Sequence, residues 1–158
     1  MREAAEDVRD LERSEHLVLF GFRLTALGRA DCPVLRRTFG GFLGGDGDGA
    51  IGDLLVFTRL LGAVGRRPVR LHTPGCCGLT CDERGVLTAL ACAQASLIHG
   101  DERRLEAALA ALLDAPPPHG CLMAAQRVAA IFSVHGLDLP ERACGGAEPE
   151  PAPRATVH

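Results

Sequence analysis

Four breaks cut the chain between residues 44 and 120, and the pieces between them repeat their apolar residues every three or four positions. The breaks are GGDGDG at 44–49, the proline- and cysteine-rich segment PVRLHTPGCCGLT at 68–80, HGD at 99–101 and APPPHG at 115–120. A repeat of that period places apolar side chains along one face of a helix, whereas a half-buried strand alternates every second residue. Ile51, Leu54, Leu55, Thr58 and Leu61 mark one such face. Leu105, Leu109, Leu112 and Leu113 mark a second, and Leu122, Ala125, Ala129 and Phe132 a third.

Upstream, residues 4–28 read as helix, with Leu17, Phe20, Leu24 and Leu27 at helical spacing; LVLFGFRL within it also suits a buried strand, and Gly21 weakens the helix. Pro33 suits a helix's first turn, with Asp31 as its cap. PVRLH is the one short piece read as extended. Five to six helices with so little strand predict an all-α bundle in a single domain over residues 1–140. Residues 141–158, rich in Pro, Gly and Ala without an apolar period, are expected to form a disordered tail.

Composition narrows the function classes. The net charge is −3 with both signs interspersed, and all 17 basic residues are arginine. That balance argues against a dedicated nucleic-acid surface. The Arg36–Arg37, Arg66–Arg67 and Arg103–Arg104 doublets read as solvated helix ends. No stretch approaches the roughly 20 apolar residues of a membrane span, and the charged N-terminal stretch lacks a secretory core. A cytoplasmic protein is therefore expected. There the seven cysteines would be reduced thiols, and their odd number cannot pair fully within the chain.

The chemistry concentrates in HTPGCCGLTCDE, residues 72–83. Thr80 and Glu83 have capping-box spacing, so Cys81 opens a helix. A helix start offers unpaired N–H groups and the positive end of the dipole, a setting that favours the thiolate, which is the form that binds metal or attacks an electrophile. Cys76 and Cys77 lie in a glycine-flanked loop just before it, and His72 stands four residues ahead of Cys76. Adjacent cysteines rarely serve one ion, so a tetrahedral site needs donors from elsewhere. Cys32 and Cys121 also open helices, His119 lies beside Cys121, and helix starts can converge at one end of a bundle. Cys92, about 16 Å from Cys81 along one helix, is too far for a shared ion and reads as a packing thiol.

The first expectation is thus a metal-binding helical protein with a structural or sensory role, its donors drawn from Cys76, Cys77, Cys81, Cys32, Cys121, His72 and His119. Zinc is the first choice, given the histidines, and an iron–sulfur cluster the alternative, given the cysteine count. A second reading is a cofactor-free adaptor, binding a protein partner or a second copy through the apolar face of residues 51–64. A third is a thiol enzyme with Cys81 as nucleophile, although no catalytic constellation accompanies it. GGDGDG lacks the later ligands of a calcium loop, and the glycines form no phosphate-binding fingerprint.

Overall fold

The computed structural model describes residues 7–142 and the backbone of 155–157. A 3-10 turn at Val8–Asp10 leads into α1 (Arg13–Ala26). Then come α2 (Pro33–Leu43), a second 3-10 turn (Gly44–Asp46), α3 (Gly47–Val64), β1 (Val69–Leu71), α4 (Cys81–His99), α5 (Arg103–Leu113) and α6 (His119–Val134). A short strand β2 (Ala155–Val157) pairs antiparallel with β1, placing Leu71 opposite Ala155. The architecture is an all-α bundle. α4 packs on α5 and α6, α6 on α3, and α3 on α1 and α2.

Apolar residues at helical spacing build the core: Phe22 from α1, Phe39 from α2, Leu54, Phe57 and Leu61 from α3, and Phe132 from α6 are all buried. Phe39 and Phe132 meet edge to face with ring centroids 6.5 Å apart. Gly21, expected to weaken α1, is what lets three helices close together. A Cβ there would lie 2.6 Å from Leu54 Cδ2 and 2.6 Å from Phe39 Cζ, far inside van der Waals contact.

Several local expectations change. Residues 8–10 form a 3-10 turn separate from α1, and residues 1–6 lie outside those described. Cys32, not Asp31, holds the N-cap position of α2, and no side chain caps it. The GGDGDG break is shorter than its sequence: α3 already begins at Gly47, so Asp48 sits inside its first turn, while Asp46 pairs with His135 Nε2 at 2.8 Å. Leu137 and Leu139 are tied back to α4 by Gln94, which donates to one carbonyl and accepts from the other amide.

Of the expected tail, residues 141–142 and the backbone of 155–157 are described. Arg142 donates to both Glu15 oxygens, at 2.7 Å each, and to the Asp10 carbonyl, and residues 155–157 complete the strand pair. The rest of that expectation falls outside the described residues. The apolar face of residues 51–64 is not spare surface. Ile51, Leu54, Phe57 and Leu61 are core, and Val56 alone among the large apolar residues of α3 is half exposed, at 52%. Among the described residues, no helix is long and apolar enough to cross a membrane.

Candidate functional site

The loop from Leu71 to Thr80 joins β1 to α4, and a single arginine from α1 holds it. Arg23 lies within an otherwise apolar helix face and is 2% exposed. Its Nε donates to Glu83 Oε1 at 2.6 Å and its Nη2 to Glu83 Oε2 at 3.0 Å. Nη1 donates to the Cys76 carbonyl and Nη2 to the Gly78 carbonyl, both at 2.7 Å, with Thr73 O a longer acceptor at 3.4 Å. A buried guanidinium needs its donors matched, and the loop supplies the carbonyls that do so.

Glu83 works in both directions. Its carboxylate also accepts from the Thr80 and His72 amides, while its own amide donates to Thr80 Oγ1 at 3.0 Å, closing the expected capping box. Thr80 Oγ1 donates in turn to the Arg70 carbonyl. Asp82 takes Arg67 in a bidentate pair at 2.8 and 2.7 Å and accepts from the Arg70 amide at 2.6 Å. The two carboxylates at the start of α4 therefore serve architecture. Of the arginine doublets, Arg67, Arg103, Arg104 and Arg36 each face a carboxylate.

The donors expected from the sequence scatter around this frame. Cys76 is half-buried and Cys77 exposed. Cys81 takes the first position of α4, half-buried, where Arg84 Nη2 donates to its sulfur at 3.0 Å. Cys32 is at the N-cap of α2. Cys121 is fully buried in the first turn of α6, and burial pushes its thiol above the ordinary range. His119 opens that helix and is exposed. Among the described residues, no group of three or more His, Cys, Asp or Glu could hold a metal ion.

Two of the expected donors lie near Gly78. His72 is 7% exposed, and its Nδ1 is buried without a hydrogen-bond partner. An unmet polar atom of this kind costs about 1–3 kcal/mol. Its ring and the Cys76 sulfur flank Gly78, where a Cβ would lie 3.3 Å from His72 Nε2 and 3.8 Å from Cys76 Sγ.

Beside the loop opens a groove of about 680 Å³ between α1, α2, the first 3-10 turn and residues 74–77. Its walls are largely apolar, with Val8, Leu17, Phe20 and Phe42 among them, and Arg9, Arg13, His16 and Arg23 add positive or ionisable groups. Among the described residues, no carboxylate lines it. Arg9 is engaged by Asp7 at 3.0 Å, which holds the Asp7 carboxyl below its ordinary range through their side-chain hydrogen bond. Arg13 lies over the Phe42 ring, 5.9 Å from its centroid. Neither Arg23 nor the groove was foreseen from sequence. The available signal was a lone charge within the apolar run Leu17–Leu27, which in a buried helix demands a partner. No protein-family model, curated protein or solved structure matches the chain.

Proposed function

We propose that the chain is a binding protein whose groove takes a small amphipathic anion, a carboxylate on an apolar body. The observation that carries this reading is the lining: arginines and a histidine over an apolar floor, with no acidic side chain among the described residues that line it, in a chain whose net charge is −3. Ligand sites are concave, mostly apolar and furnished with a few orienting polar groups. Arg13 supplies the cation and Phe20 and Phe42 the apolar wall. The loop beside the groove is held by Arg23 and Glu83, with Cys76 and Cys77 at the groove edge. A binding role also accords with Asp82 and Glu83 being spent on structure.

The chain has no tryptophan or tyrosine, so a fluorescent probe reports against a dark background. Titration with dansyl-undecanoate is expected to saturate at one probe per chain. Arg13→Glu and Phe42→Ala should each weaken binding by about tenfold or more, roughly 1.4 kcal/mol. The neutral amide of the same probe should bind more weakly than the acid. Equal affinity in wild type and Arg13→Glu, or no saturable binding, would refute the proposal.

A further inference from the structure

We infer that Cys76 and Cys77 form a redox switch on the groove: a low-molecular-weight disulfide closes the adjacent thiols into one ring, and the closure loosens the groove wall. Its effect on a ligand rests on the groove reading, whereas the closure itself stands apart from it. Two observations carry the inference. First, both residues line the same groove, although neighbouring side chains in extended backbone point to opposite faces. Second, the carbonyls of both are engaged. Arg23 Nη1 donates to Cys76 O at 2.7 Å, and the Val8 amide donates to Cys77 O at 2.8 Å, beside an antiparallel bridge between Asp7 and Gly78. Val8 and Arg9 also line the groove, so the Cys77 carbonyl ties the loop to the 3-10 turn that makes one wall.

The reaction is two thiol–disulfide exchanges with glutathione disulfide as the oxidant. Exposed Cys77 goes first. It loses its proton to solvent and attacks one sulfur of the oxidant, whose S–S bond breaks; one glutathione thiolate leaves and takes up a proton. Half-buried Cys76 then loses its proton, attacks the Cys77 sulfur of the mixed disulfide and releases the second glutathione. Two thiols of the chain are oxidised to one disulfide, and the oxidant is reduced to two thiols. An accessible thiol poised beside a resolving one is the arrangement of a redox sensor.

Covalent geometry sets what closure does. Neighbouring Cα atoms across a trans peptide lie about 3.8 Å apart, below the usual disulfide span of about 4.4–6.8 Å. The ring is therefore strained and easily reduced, which suits a reversible device. Its strain falls on the torsions either side of the Cys76–Cys77 peptide, and so on the two held carbonyls. The hydrogen bond from Arg23 is charge-assisted and the one from Val8 is neutral, a difference of about twofold in strength. The neutral bond yields first, and the turn that carries Val8 and Arg9 comes away from the loop.

The test uses the full chain, moved between glutathione and glutathione disulfide at mildly alkaline pH. Mass spectrometry is expected to show a Cys76–Cys77 disulfide that excess glutathione reverses. Cys81→Ser and Cys144→Ser should keep it, and Cys76→Ser should stop at a glutathione adduct on Cys77. On oxidation the Val8 amide should exchange with solvent faster. Dansyl-undecanoate should then bind about threefold to tenfold more weakly, the scale of one neutral hydrogen bond. A reduced chain that binds no probe overturns the groove reading and the ligand effect with it; the ring and the Val8 exchange are still read on their own. No Cys76–Cys77 bond, a bond from either thiol to Cys81 or Cys144 instead, or unchanged Val8 exchange in the oxidised chain would each overturn the inference. So would equal probe affinity in the reduced and oxidised forms.

Discussion

The body of the bundle and the end that carries the cysteine loop are held by different forces. In the body, Phe39, Leu54, Phe57 and Phe132 are buried against one another, and what matters there is volume and fit. At the loop, Arg23, Glu83, Asp82 and Arg67 are matched donor to acceptor through side chains and backbone. Contact energy is graded, so a lost methyl group costs in proportion to the cavity it leaves. A buried ionic network is not graded: removing one member strands the others without water or partner. The same chain therefore has a forgiving half and an unforgiving one.

The sharpest way to break this contrast is Arg23→Met. It leaves the Glu83 carboxylate and the Cys76 and Gly78 carbonyls short of a donor, and the expected loss is about 3–5 kcal/mol in denaturant unfolding. Adding Glu83→Leu should not restore wild-type stability, because the loop carbonyls stay unmatched. A cost below that of Leu54→Ala in the body would erase the distinction. Next in size is Gly21→Ala. Its methyl group must displace Leu54 and Phe39, and overpacking of this kind costs about 1–3 kcal/mol. A double variant with Leu54→Ala should recover part of the loss, since the clash lies with that side chain; strict additivity would place the strain elsewhere.

The smallest effect is on the alkaline limb and concerns Cys121. Burial raises its thiol above the ordinary value, so the folded state holds the proton more tightly than the unfolded one. Its contribution is fully present below the ordinary thiol value and is lost as pH rises through the raised one. A shallow decline in stability above about pH 9 is expected, and it should shrink in Cys121→Ala. In the folded protein at neutral pH, maleimide should label exposed Cys77 first and buried Cys121 last among the described cysteines. Early labelling of Cys121 would mean that the body opens more readily than the loop.

Much of the body was legible because it follows a period. The leucines at 105, 109, 112 and 113 are all buried as the spacing required, and the Thr80–Glu83 box is formed. These features depend on neighbours three or four residues apart. The loop was only half legible. That cysteines, a histidine and a helix start would lie together follows from local order. What gathers the loop is Arg23, whose acceptors lie 50–60 residues away, and no local pattern encodes such a meeting. Cys32 and Cys121 show the same limit: helix starts are visible in sequence, but the end of the bundle at which each emerges is not.

That guanidinium also governs how the loop can move. Lifting residues 73–78 away from α1 would keep the Arg23–Glu83 pair but take the Cys76 and Gly78 carbonyls from the guanidinium, so partial opening leaves donors unmatched and is disfavoured. With its backbone carbonyl held by that guanidinium, Cys76 is left to move chiefly by rotation about its side-chain bond.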